Sequence, residues 1–433
     1  VEIPPVQLVR QTAPQPTVAD VPGEVRRLWL SSKTARRIQP GMRVAVAVGS
    51  RGIKNLLLIV QATIDALKQL GADPFIVAAM GSHGGATPQG QREVLASYSI
   101  DEAHLGVPIV TDMDVVPIGT NSVGQPVWWD KNALAADAVV TVSRVKPHTD
   151  FRGKFESGIV KMLVIGLGKR VGADQVHSFG PLGLRDMIPD AGRVILEKTP
   201  FVGGLAILEN AHEETARLEV VDRDDLWDRE PELLQEASRM MGRLPFKGAD
   251  VLIIGELGKN YSGAGMDPNV IGRMLIEGSP EVETNDPRIV RIGVLEVSPE
   301  SHGNATGIGL ADLTTNRAIA GIDHKAFRMN NLTARSLWRS KLPFAFETDR
   351  EVIAACVETC WQVDSAKVKL CVIPNTLEVA ELWVSPALAA DLAGRPHLEF
   401  VGSPQPLPFD AVGNLMQEKL FPHSVRGRRA AHQ

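Results

Sequence analysis

Residues 42–48 (Met-Arg-Val-Ala-Val-Ala-Val) form an apolar run of strand length, and they constrain the fold more than any other segment. The run ends at Gly49-Ser50-Arg51-Gly52, after which Leu56, Ile59, Val60, Thr63, Ile64 and Leu67 recur at helical spacing within residues 55–70. A turn, Gly71-Ala72-Asp73-Pro74, leads to a second apolar run at residues 75–80. Strand, helix and strand in that order imply a parallel pair, since only a crossover of this length returns the chain in the same direction. The crossover is right-handed, and ligands of such sheets bind beyond the carboxyl ends of the strands. Arg51 and His83 follow two such ends directly, so both are expected to face that crevice.

The alternation continues with apolar runs at residues 138–143, 202–208, 251–257, 291–297 and 368–373. At 433 residues the chain exceeds one ordinary core. A charged helical stretch over 222–241 and the polar turn Pro245-Phe246-Lys247-Gly248-Ala249-Asp250 place the boundary near 246. The expectation is an α/β protein of two α/β domains, 1–246 and 247–433. No Gly-x-Gly-x-x-Gly opens a helix after the first strand, so a dinucleotide fingerprint is absent. A net charge of −5 offers no electrostatic reason for a nucleic-acid or anionic-membrane partner. The three cysteines include Cys356 and Cys360, one helical turn apart in an apolar face without neighbouring histidines, which reads as core rather than zinc site. With no signal-like start and no apolar run long enough to span a bilayer, a cytoplasmic enzyme is expected. The basic tail Arg426-Gly427-Arg428-Arg429 reads as a solvated end.

Two glycine-punctuated segments carry the candidate chemistry. The first is Gly81-Ser82-His83-Gly84-Gly85; the second runs from Lys146-Pro147-His148 through Lys161 to His177. Glycine beside His83 allows close approach to a ligand, and Pro147 stiffens the loop before His148. Each histidine alone is more simply a loop residue bonded to a carbonyl; two on neighbouring strand ends shift the balance towards acid/base catalysis. Lys161 stands in an apolar run, where a lysine ordinarily snorkels to the surface.

Together, residues 49–52, 81–85, 146–153 and 161–177 resemble the nickel-dependent lactate racemase family, in order and spacing over the N-terminal half and only loosely beyond it. The resemblance implies a nickel-pincer nucleotide (nickel pyridinium-3,5-bisthiocarboxylic acid mononucleotide) covalently attached through Lys161. It implies His177 as the nickel ligand, at a separation of 177 − 161 = 16 that fits the family pattern. His83 and His148 become the acid/base pair, and Arg51 the strand-end arginine that binds an anion. A cofactor and substrate cleft is then expected between the two domains, with cofactor-synthesis proteins as partners. Three departures bear on substrate rather than cofactor: Val48 replaces the family's carboxylate, the approach from His148 to Lys161 is longer, and the family's C-terminal Gln and Lys find no match. The implied activity is a racemase or epimerase at C2 of a 2-hydroxy acid, divergent from lactate.

Substrate-side candidates lie on polar loops after second-half strands: Lys259, Tyr261 and Arg273, and His302 within Glu300-Ser301-His302-Gly303. Two other readings compete. In one, His83, His148 and His177 jointly bind zinc in a hydrolase or lyase. In the other, the protein carries the nickel cofactor without turnover.

Overall fold

The computed structural model describes residues 1–50, 52–278 and 286–431. The chain divides into two compact units, one of residues 15–241 and one joining residues 1–14 to residues 242–433. The strand β1 (Val6–Gln11), left by the sequence reading with the first domain, therefore belongs to the sheet of the second unit. Long-range pairing decided this, and nothing local to residues 6–11 announces it.

The first unit is built on a six-stranded sheet. Its strands are β2 (Arg43–Val48), β3 (Asp73–Ala78), β4 (Ile109–Val110), β7 (Ala138–Arg144), β8 (Phe201–Glu209) and β9 (Thr215–Asp222), in the order β4-β3-β2-β7-β8-β9. The hairpin of β5 (Val115–Thr120) and β6 (Pro126–Asp130) stands apart from it. All pairs in the sheet are parallel except β8 with β9. Along β2 the residues alternate between two buried faces: Val44, Val46 and Val48 pack with the helix Leu56–Gln69, while Ala45 and Ala47 face the layer holding residues 159–195. Both faces are dry, as a parallel sheet covered by helices on each side requires.

The second unit holds an eight-stranded sheet. Its remaining strands are β10 (Gly248–Leu257), β11 (Arg288–Val297), β12 (Leu313–Thr315), β13 (Phe344–Phe346), β14 (Leu370–Ile373), β15 (Glu381–Val384) and β16 (Leu398–Gln405), in the order β13-β12-β11-β10-β14-β15-β1-β16. The five strands from β13 to β14 run parallel; β15, β1 and β16 add antiparallel pairs. Cys356, Cys360 and Cys371 are buried core thiols. The tail expected to be solvated is instead a docked helix, Val425–Ala431: Arg426 and Arg429 pair with Glu256, and Arg426 also with Glu296. No helix among the described residues is long and apolar enough to cross a membrane.

Candidate functional site

In the first unit the loops that follow β2, β3 and β7 emerge at one end of the sheet, since those strands are parallel neighbours. With strands about 4.8 Å apart, residues on the β3 and β7 loops start roughly 10 Å from one another. His83 follows β3 and His148 follows β7. Arg51 lies outside the described residues, but Ser50 beside it contacts the Nδ1 of His83 through its hydroxyl. The His83 loop is held open by Gly84, whose φ is +65° and whose missing Cβ would lie 2.5 Å from the Gly90 carbonyl carbon. The buried Gln91 fastens the same loop, donating from Nε2 to the carbonyls of Gly81 (2.9 Å) and His83 (3.3 Å).

His148 is buried at 8 % exposure and stacks on Phe151, ring centroids 4.4 Å apart. Its backbone N–H donates to Glu156 Oε2 at 2.6 Å, and the Gly153 N–H donates to the other oxygen at 3.1 Å. Burial pushes the Glu156 carboxyl above its ordinary range, and these two backbone donors oppose the shift. On the ring, Nδ1 accepts from the Asp150 N–H at 3.0 Å, and Nε2 lies 2.7 Å from Lys161 Nζ. A neutral imidazole that accepts at Nδ1 carries its proton on Nε2.

Lys161 closes a short helix, Ile159–Lys161, that widens into a π-helical turn, Met162–Gly166. Such turns are rare and concentrate at functional sites. The Gly81 N–H donates to the Gly166 carbonyl at 3.1 Å, so the His83 loop rests on the turn that follows Lys161. His177 ends the next helix, Lys169–His177, and its Nδ1–H donates to the Ala173 carbonyl at 2.6 Å. Nε2 is then the nitrogen left for a metal. Burial holds His177 below the usual imidazole pKa, opposed by the Ala173 carbonyl and reinforced by the nearby charge of Lys161.

Several residues that sequence reasoning missed support these loops. Lys169 is wholly buried, pairs with Asp130 at 3.0 Å and donates to the Ala78 carbonyl at 2.6 Å, at the end of β3. Glu209 accepts from the Lys54 N–H at 2.7 Å and pairs with Arg144 at 2.7 Å, fixing the segment after Arg51. Glu230 reaches the turn bearing Lys161, its Oε2 accepting from the Val160 N–H at 3.0 Å. Their partners are backbone and side-chain groups distant in sequence, so no motif or periodicity could have exposed them.

The remaining expected residues lie in the second unit. The Tyr261 hydroxyl donates to Glu256 at 2.6 Å, in the cluster joined by Arg426 and Arg429. Burial, then the Glu256 charge, drives the phenol far above its ordinary range. Arg273 pairs with Asp312 at 3.0 Å and donates to the carbonyls of Leu310 and Ile289. Lys259 Nζ donates to the Gly263 carbonyl at 2.6 Å, and His302 is exposed in a left-handed turn at φ 47°.

Against known proteins, residues 6–181 match the family model described as the lactate racemase N-terminal domain. Among solved structures, the fold resembles the lactate racemase apoprotein from Thermoanaerobacterium thermosaccharolyticum at a TM-score of 0.50 and 12 % identity, covering 86 % of this chain and 94 % of that one. No curated protein sequence matches. The match spans the loops of His83, His148, Lys161 and His177, and the likeness of fold extends past it into the second unit. Residues 6–181 thus carry the lactate racemase N-terminal domain.

Proposed function

We propose that the protein is an isomerase, a racemase or epimerase acting at C2 of a 2-hydroxy acid, with a nickel-pincer nucleotide held by Lys161 and His177. The observation that carries this reading is the meeting of Lys161 Nζ and His148 Nε2 at 2.7 Å, in the unit that also holds His83 and His177. The match of residues 6–181 to the lactate racemase N-terminal domain supports the class of reaction. The donor set suits the cofactor. Lys161 supplies the amine that an attachment needs, and His177 is a half-buried imidazole held below its usual pKa, with Nδ1 on the Ala173 carbonyl and Nε2 left for a metal. Among the described residues, no three His, Cys, Asp or Glu side chains converge to hold a metal ion, so a zinc centre on the three histidines lacks support. A metal held by one protein ligand instead suits a cofactor that brings its own donors.

When bound, the cofactor would supply a reversible acceptor for the hydrogen on C2. The chain's own work is proton transfer and orientation. Attachment of the cofactor through Lys161 would engage the amine that meets His148 Nε2 and leave that nitrogen for the substrate hydroxyl. His83, exposed on the loop after β3, would act from the other face, its ring oriented by Ser50. Histidine titrates near neutrality and serves equally as base in one direction and acid in the other. Arg51 is retained as a residue that holds the cofactor, and Lys259, Tyr261, Arg273 and His302 as candidates for the substrate, to be ranked by their effects on KM.

Peptide mass analysis of protein co-produced with the cofactor-synthesis proteins tests the reading. A nucleotide adduct is expected on Lys161; an adduct on Lys154 instead would refute the assignment. With the correct 2-hydroxy acid, racemisation in heavy water should leave protium at C2, because a hydride does not exchange with solvent as an acidic proton does. Deuterium entering C2 at the rate of racemisation would reject the mechanism.

A further inference from the structure

We propose that Glu230 is a positioning residue for Lys161, a carboxylate from a distant helix that fixes the head of the turn presenting the amine. The inference rests on the reading of Lys161 as the point of attachment. Glu230 belongs to the helix Leu226–Met240, and its side chain is buried beside the turn that begins at Ile159. Its Oε2 accepts the Val160 N–H at 3.0 Å, and the Ile159 N–H also favours its ionised form. A helix ordinarily takes this capping bond from its own N-cap side chain. Here the N-cap is Gly158, which has none.

Gly158 and Glu230 are fitted to each other. A Cβ at position 158 would fall 2.4 Å from Glu230 Oε1, so the carboxylate fills the place that a local cap would take. Among the described residues, that oxygen has no hydrogen-bond partner. Burying a carboxyl group with one oxygen unbonded is unfavourable, and burial pushes this carboxyl up to about 7. A serine or aspartate at position 158 would cap the turn without that cost, but would tie it only to its own loop. Glu230 ties it to a helix whose Leu226, Leu233 and Ala237 lie in the unit's core. Fixing the N–H of Val160 fixes the backbone entering Lys161, and with it the direction in which the lysine leaves the turn. Glu156 does the same for His148. The two carboxylates thus hold both sides of the 2.7 Å contact in register.

The test compares Glu230→Ala, Glu230→Gln and Gly158→Ala in the full chain, with two readouts on unloaded protein. These are backbone hydrogen exchange over residues 158–166 and the ring nitrogen resonances of His148. In Glu230→Ala, exchange should rise about tenfold over that segment, the scale of losing one helix cap. The His148 resonances should shift as contact with Lys161 is lost. Glu230→Gln, which keeps a carbonyl acceptor, should restore both to near wild type. On co-production, the fraction of Lys161 carrying an adduct should fall in Glu230→Ala and recover in Glu230→Gln. A folded Glu230→Ala with wild-type exchange and unshifted His148 signals overturns the proposal. If that variant does not fold, Gly158→Ala, which crowds the carboxylate without removing it, is read in the same way. A wild-type protein that never carries an adduct refutes the cofactor reading, while exchange and the His148 signals still decide the role of Glu230.

Discussion

The two units use their buried polar groups differently. In the first, Glu156, Glu209, Glu230, Gln91 and Lys169 each reach a backbone group of a loop at the site end of the sheet. In the second, Glu256 and Glu296 meet arginine side chains: Arg426, Arg429 and Arg317. Bonding to backbone dictates the path of a loop and leaves that loop's own side chains for chemistry. Pairing side chain with side chain fastens helices to the sheet and neutralises charge without shaping a loop. The first arrangement suits a site, the second a scaffold.

The largest expected effect sharpens this contrast. Alanine at His83 or His148 should lower turnover by about a hundredfold to ten-thousandfold, the usual contribution of a general acid or base, with nickel still bound. Alanine at His177 should instead lower the nickel content. A twofold loss at either catalytic histidine, measured by steady-state kinetics, would place the chemistry elsewhere.

Next in size is Lys169→Met, which leaves Asp130 buried and unpaired. Removing one partner of such a pair costs about 3–5 kcal/mol, so the melting temperature should fall sharply. An unchanged melting curve would mean that the buried Lys169–Asp130 pair contributes little in this unit.

A pH titration gives a smaller, signed effect. Burial raises Glu230 from 4.5 to about 7, so the folded state holds its proton more tightly than the unfolded one. The resulting stability is fully present below pH 4.5 and is lost as pH rises through about 7, up to roughly 3 kcal/mol in all. Wild type should therefore lose stability relative to Glu230→Gln between pH 5 and 8. A difference independent of pH, in denaturant titrations of both proteins, would contradict that account.

The smallest effect lies in the second unit. Arg426→Ala leaves Arg429 still on Glu256, so the loss should be about 1–2 kcal/mol. Hydrogen exchange over residues 158–166 should not change. A response there would show that the two patterns of anchoring are not independent.

The framework of the first unit was legible because its strands are short, apolar and bounded by glycine. The six apolar positions expected on the helix after β2 are all buried in it. The strand at Thr215–Asp222 was not legible: its antiparallel pairing with β8 leaves one side mixed in polarity, and its residues show no clean alternation. The histidines could be singled out because glycine and proline mark their loops. Glu230 could not, since in sequence it is one acidic residue in a charged helix. Only its contact with Val160 distinguishes it from Glu232 two residues later, which pairs with Arg229 at the surface.

The sequence by itself determined the α/β alternation, the loops that follow the strands, and the residue types able to move a proton or hold a metal there. These follow from local periodicity, turn chemistry and side-chain chemistry, which each segment carries wherever it lies. The tertiary structure alone decided that β1 joins the second sheet, that the arginine tail docks on buried carboxylates, and that His148 meets Lys161. Each depends on groups far apart in the chain, and a lone segment cannot show which distant partner will satisfy a buried hydrogen bond or charge.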